Sequence, residues 1–180
     1  MMSPESCTDP RVAALVAAQQ PWLHIGIDSQ TLTLFRGAQP LATYPVSTAR
    51  NGAGQAFGSE CTPTGWHSVR ALIGADAPLG AVFRGRRPTG EVWSPALHQA
   101  FPGRDWILTR ILWLSGLEPG HNRGGRVDSM RRYIYIHGTP DSEPMGLPLS
   151  HGCVRMRNSD IAQLFDQVGA YTPVLIEALS

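Results

Sequence analysis

Tyr133-Ile134-Tyr135-Ile136 runs straight into His137-Gly138-Thr139. Aromatic and β-branched residues in an unbroken row make this the most strand-like segment of the chain. A strand that ends on histidine and glycine holds an imidazole on a rigid element, beside a residue that tolerates tight backbone. Outward from it, short β segments closed by turn residues recur. Trp22–Asp28 and Thr31–Phe35, separated by Ser29-Gln30, read as a hairpin, and Arg36-Gly37 turns the chain into Leu41–Ser47. Asn51–Ser59 is a glycine-rich loop, and Cys61-Thr62-Pro63-Thr64-Gly65 leads into a strand over Trp66–Ile73. Asp105–Leu114 is strongly apolar, Gly116–Asp128 is again loop, and Pro173–Leu179 closes the chain as a strand. Residues 74–105 carry several glycines and prolines and little periodicity, so they read as a long surface excursion and a candidate lid.

Two short helices complete the pattern. Asp9-Pro10 reads as an N-cap followed by proline at the first helical position, with Val12, Leu15 and Val16 on one face and a stop at Gln20-Pro21. Asn158 or Ser159 caps a second helix over about 159–168, with Asp160 in its first turn and Gly169 past its end. The sequence thus predicts one mainly-β domain, a sandwich or partial barrel with two short helices: a lead-in over 1–21 and the domain proper over 22–180.

Composition sets the limits. The chain has 180 residues, one domain's worth, and can bury a core without disulfide or metal staples. Hydrophobic residues at 42% against 16% charged exclude intrinsic disorder, and 19 glycines with 15 prolines favour many short strands over a helical bundle. All 15 basic residues are arginine, balanced by 14 acids, and a net charge of +1 gives no case for nucleic acid or a membrane surface as partner. Cys7, Cys61 and Cys153 form an odd set without CxxC spacing, so they make neither a full disulfide framework nor a zinc signature. His121, His137, His151 and Cys153 have no metal-ligand spacing either, and no metal or cofactor is expected.

Val12–Ala18 has the size of a signal-peptide h-region. The segment before it, however, carries Glu5 and Asp9, with Arg11 as its only side-chain cation, where a basic region is expected. The helix reading is preferred, and no apolar run approaches the ~20 residues of a membrane span. The expectation is a cytoplasmic protein, with a periplasmic one as the alternative if the N-terminus is processed.

The chemistry concentrates in Ile136-His137-Gly138-Thr139 and Ser150-His151-Gly152-Cys153-Val154-Arg155-Met156. A cysteine behind a glycine suits a tight turn that approaches a substrate closely, and a thiol nucleophile needs a nearby imidazole. The backbone N–H of Cys153, with that of Gly152, would form an oxyanion hole. The order His then Cys is opposite to papain-like peptidases, and Cys61, which precedes a strand rather than a helix, is a poor substitute nucleophile. Cysteine alone is more often core filler; its combination with His137 and the flanking glycines reverses that reading. His151 lines the oxyanion hole, touches substrate or caps a loop, and the residue type does not choose. Arg155 offers a bidentate fork for a substrate carboxylate or a structural ion pair with Asp160 or another acid. Ser150 supports the turn. Tyr135, Trp66, Trp93, Trp106 and Trp113 read as core or groove wall, while His24, His67 and His98 carry no signal beyond their strand or loop positions.

His137-Gly138-Thr139, ten residues, then Ser150-His151-Gly152-Cys153-Val154-Arg155-Met156 with Asn158 and Asp160 resembles the signature of L,D-transpeptidase catalytic domains of the YkuD type. His24–Leu32 resembles that family's opening hairpin, Tyr44-Pro45-Val46-Ser47-Thr48 its third strand, and Thr62-Pro63-Thr64-Gly65 its strand-opening motif, so the likeness spans about 22–178. The resemblance implies a small β fold and acyl transfer on peptidoglycan stem peptides, at the bond between a diamino acid at position three and D-alanine at position four. It implies Cys153 as nucleophile, His137 as base and the Gly138 carbonyl as the group that orients the imidazole. The thioester is then resolved by another stem's amine to a 3–3 cross-link, or by water to a tripeptide. It also implies that carbapenems acylate Cys153. With the N-terminus read as a helix, the expected substrate is a soluble tetrapeptide or muropeptide and the expected activity L,D-carboxypeptidase, in muropeptide recycling. Cross-linking is the alternative, and a stem-peptide or wall-enzyme binding protein without turnover the reading from another class.

Overall fold

The computed structural model describes residues 8–178. Glu5 and Cys7 therefore lie outside the described residues. Alternation of side chains builds the centre. In β1 (Pro21–Gly26), Leu23 and Ile25 face the main core while Trp22 faces the other way, and β2 (Thr31–Arg36) pairs antiparallel with it in the register Trp22↔Phe35, Leu23↔Leu34. β3 (Gln39–Pro45) follows on the outer edge of β2, and β10 (Pro173–Glu177) lies parallel to β1 on its other side. β4 (Gly65–Ile73) and then β7 (Ile107–Gly116) continue the sheet antiparallel.

At β7 the sheet branches. Residues 111–116 of β7 pair with β4, whereas Ile107 and Leu108 pair with β5 (Ala81–Arg84), which takes over the edge that β4 leaves free. The break falls at Thr109, whose φ is +71°. β6 (Arg87–Val92) closes a hairpin on β5, and along the opposite edge of β7 runs β8 (Tyr135–Thr139), followed by β9 (Val154–Arg157) parallel to it. All ten strands belong to one connected, curled sheet, as a partial barrel requires.

Three α-helices stand among the described residues, one more than the sequence predicts. α1 (Pro10–Ala17) is capped by Asp9, carries proline at its start as read, and buries Val12 and Leu15 against Trp22, Trp66 and Leu175. The additional α2 (Pro95–Ala100), capped by Ser94, lies within the stretch read as an excursion, which also contains the β5–β6 hairpin. α3 (Asn158–Phe165) packs Ile161, Leu164 and Phe165 into the main core. Its N-cap is Arg157, with no side-chain cap bond, rather than Asn158 or Ser159. The Asn158 amide is instead taken by the back of β8: it donates to the Thr139 carbonyl at 3.0 Å and to Asp141 at 3.2 Å, and accepts from Thr109. Among the described residues no helix is long and apolar enough to cross a membrane.

Candidate active site

β8 starts two residues later than the run of aromatic and β-branched residues suggests and includes His137, Gly138 and Thr139. It begins where Tyr135 pairs with Trp113 of β7, and its end is held by β9, which pairs alongside from Ile136↔Val154 to Thr139↔Arg157. Side chains paired across strands share a face. Val154 and Met156 therefore enter the main core with Ile136, while His137 and Arg155 face the opposite side. One step back in the same register brings Cys153 beside Tyr135, on the face that carries His137. The Tyr135 N–H donates to Cys153 Sγ at 3.4 Å, and the thiol points at the Tyr133 carbonyl, also at 3.4 Å. Phe83, Ile111 and Tyr135 form the apolar wall against which Cys153 packs, and Phe83 also lines a recess of about 420 Å³ along the β5–β6 hairpin.

His137 is 1% exposed. Its Nδ1 lies 2.7 Å from the Gly138 carbonyl, which selects the tautomer with the hydrogen on Nδ1 and leaves Nε2 as an acceptor. Burial lowers the His137 pKa below the usual imidazole range, against the opposing pull of the Gly138 bond and of Asp105. Burial also pushes the Cys153 thiol up to about 12, although the Tyr135 N–H opposes it. Both shifts favour a neutral thiol and a neutral imidazole. Gly138 must be glycine: a Cβ there would lie 2.6 Å from both the Leu108 carbonyl oxygen and Asn158 Oδ1.

The turn before Cys153 is fixed from several sides. Gly152 has φ +127°, and a Cβ on it would lie 3.3 Å from the Cys61 carbonyl oxygen. Its carbonyl accepts from buried Thr62 Oγ1 at 3.0 Å, and its N–H donates to Ser150 Oγ at 3.2 Å. The Gly152 N–H thus serves the turn itself. Ser150 Oγ also donates to the Cys153 carbonyl at 2.5 Å. Ser47 and Arg155 exchange backbone bonds at 2.9 Å, fastening the segment after β3 to β9.

Arg155 is 9% exposed and donates to Asp105 at 2.9 Å, so its ion-pair partner is Asp105 and not Asp160. His151 is exposed, with Nδ1 4.0 Å from the same carboxylate. Asp105 was invisible as a site residue in the sequence, where it opens an apolar run. Its one signal is an acid two residues ahead of the strand that neighbours β8. Arg132, also unsuspected, donates to the Gly54, Gln55 and Cys61 carbonyls and to Ser59 Oγ beside the same turn. His121 stands apart, bonded to Thr64 Oγ1 at 3.2 Å.

Comparison with known proteins gives a consistent answer. The family model described as L,D-transpeptidase catalytic domain, YkuD, matches residues 20–176. The probable L,D-transpeptidase YbiS of Escherichia coli K12 is 31% identical over 121 residues, covering 62% of this chain and 39% of YbiS. This chain therefore spans about two fifths of the length of that relative. The structure of an L,D-transpeptidase from Mycobacterium smegmatis superposes with a TM-score of 0.52 at 18% identity, covering 88% of this chain and 58% of the other. That of LdtMt1 in complex with imipenem gives 0.52 at 19% identity, over 88% and 60% of the two chains.

Proposed function

This chain belongs to the YkuD family of L,D-transpeptidase catalytic domains, and from that premise we propose that it is a cysteine acyl-enzyme acting on peptidoglycan stem peptides. The bond cleaved joins the L-centre of the diamino acid at position three to D-alanine at position four. The observation that carries this reading is the parallel β8–β9 register, which sets Cys153 and the Gly138-anchored His137 on one face of the sheet. His137 Nε2 takes the thiol proton as Sγ bonds to the carbonyl carbon, and the Cys153 N–H meets the developing oxyanion. Collapse breaks the C–N bond, and the imidazolium returns the proton to the departing D-alanine amine. A thioester remains on Cys153. Water, deprotonated by His137, then releases a tripeptide and restores the thiol.

Water as the favoured acceptor, in a cytosolic recycling reaction, is the finer part of the proposal. Its support is that the apolar run at 12–18, the feature that would suggest export, is packed as α1 against Trp22 and Trp66. The second reading, cross-linking with an amine acceptor, is supported by the likeness to YbiS, named a probable L,D-transpeptidase.

One experiment addresses both readings. The full chain is incubated with a soluble tetrapeptide muropeptide, with and without an amine acceptor, and the products are weighed. Release of D-alanine and tripeptide in either mixture supports hydrolysis, whereas a 3–3 linked product that dominates when amine is present moves the reading to cross-linking. Cys153→Ala abolishes both products and also the mass adduct expected with imipenem. Release of D-alanine by Cys153→Ala at the wild-type rate would overturn the acyl-enzyme.

A further inference from the structure

Moving the Cys153 proton to His137 leaves a negative sulfur in a half-buried site, and that charge needs a counter-charge. The groups facing it come from four elements: Asp105 ahead of β7, Arg132 in the turn before β8, His137 on β8 and Arg155 on β9. Tyr133 and Tyr135 also neighbour it, with the Arg86 guanidinium bonded to Tyr135 Oη at 2.9 Å and stacked on Tyr133. Asp105 opposes the thiolate and Arg155 favours it, but the two are joined at 2.9 Å, so their fields at the sulfur largely cancel.

Arg132 differs in having no such partner. Its five-donor fork is occupied by neutral acceptors, namely three backbone carbonyls and the Ser59 hydroxyl, and among the described residues no carboxylate lies within 4.0 Å of it. Burial lowers its pKa, yet a guanidinium stays charged. Its Nη2 donates to the Cys61 carbonyl at 2.6 Å, and that carbonyl is the atom packed on Gly152, one residue before the thiol. The next residue, Tyr133, supplies the carbonyl that Cys153 Sγ approaches. The guanidinium thus reaches the thiol through one contiguous layer of backbone.

We propose that Arg132 is a positioning residue for the cysteine chemistry: its uncompensated guanidinium fastens the 54–61 loop against the Gly152–Cys153 turn and supplies the net positive charge that stabilises the Cys153 thiolate. This rests on Cys153 being the nucleophile. Its first readout, however, needs no substrate. Iodoacetamide alkylation of Cys153 in the full chain, followed by peptide mass so that Cys61 is counted separately, reports the thiolate fraction across about pH 7 to 9. Arg132→Gln slows it about tenfold at each pH, the effect of removing one nearby charge. Arg132→Lys, which keeps the charge and loses most of the fork, restores the greater part of the rate.

Ser59→Asp gives an independent variant, because it sets a carboxylate where Ser59 Oγ now lies, 3.3 Å from Arg132 Nη2, and it slows alkylation with Arg132 in place. It carries the test alone if Arg132→Gln does not fold. In turnover, Arg132→Gln lowers kcat more than it changes KM, and the loss persists across the same pH range. An unchanged alkylation rate in Arg132→Gln or Ser59→Asp overturns the proposal, as does a Lys variant as slow as the Gln variant. Failure of the wild-type chain to release D-alanine would instead overturn the functional reading and leave the alkylation result standing.

Discussion

Burial acts on Cys153 and His137 in the same sense, favouring the protonated thiol and the unprotonated imidazole over a stored thiolate–imidazolium pair. In the proposed mechanism proton transfer accompanies attack, and His137 must be neutral for it to begin. A lowered His137 pKa keeps the base available below the pH at which an exposed imidazole is half protonated. The acidic limb of the kcat/KM profile for D-alanine release is therefore expected below pH 6.5, the ordinary imidazole value. A limb at or above that value would mean that the titrating base is not the buried His137. The motif that carries these two residues was legible because its parts lie close in sequence and glycine marks both the close approach at Gly138 and the turn at Gly152. Asp105 and Arg132 were not legible. Each joins the site across a fold contact, Asp105 to Arg155 and Arg132 to the Cys61 carbonyl, and neither has a neighbour whose residue type advertises the contact. Asn158 misled for a related reason: its amide has a tertiary partner in Thr139, which outcompetes the local cap that its residue type favours.

Among the elements, α1 and the β5–β6 hairpin show opposite degrees of legibility. The helix declares itself by Asp9, Pro10 and the spacing of Val12 and Leu15, all local signals. The hairpin hides because β6 is an exposed edge, with Arg87, Pro88 and Gly90 where an interior strand would alternate apolar and polar. α1 also has a tertiary anchor that the sequence does not reveal. Asp9 Oδ1 accepts from the Arg11 N–H at 2.7 Å, while Oδ2 accepts from Trp66 Nε1 at 2.7 Å. Asp9→Ala removes the cap and strands a mostly buried indole N–H, at a cost of about 2 kcal/mol or somewhat more. Asp9→Asn keeps a capping oxygen and loses the bond to Trp66, so it is expected to fall between wild type and Asp9→Ala. Urea unfolding followed by tryptophan fluorescence gives that order, and equal losses in the two variants would assign the whole effect to Trp66.

At the scale of the molecule, three histidines of the curled sheet, His24, His67 and His137, are buried, and burial lowers the pKa of each. His67 lies on β4. It is fully buried, with Nδ1 3.0 Å from the Gly65 carbonyl and Nε2 2.9 Å from Ser129 Oγ, and its pKa falls to about 4. The unfolded chain binds a proton at this residue near pH 6.5, while the folded chain resists until about pH 4, so acidification favours unfolding through that window. Stability from His67 is fully present above pH 6.5, declines as pH falls, and levels off below about pH 4. The interval is worth about 3 kcal/mol for this one group, and His137 acts in the same direction. His24 does so less, because Glu177 at 2.6 Å supports its charged form. The urea midpoint is therefore expected to drop steeply between about pH 6.5 and 4, with a shallower drop in His67→Gln, which cannot take up the proton. That variant starts from a lower midpoint at neutral pH, because it disturbs two buried hydrogen bonds. The decisive quantity is consequently the slope and not the absolute stability: equal slopes for the two chains would remove His67 as the origin of the acid sensitivity.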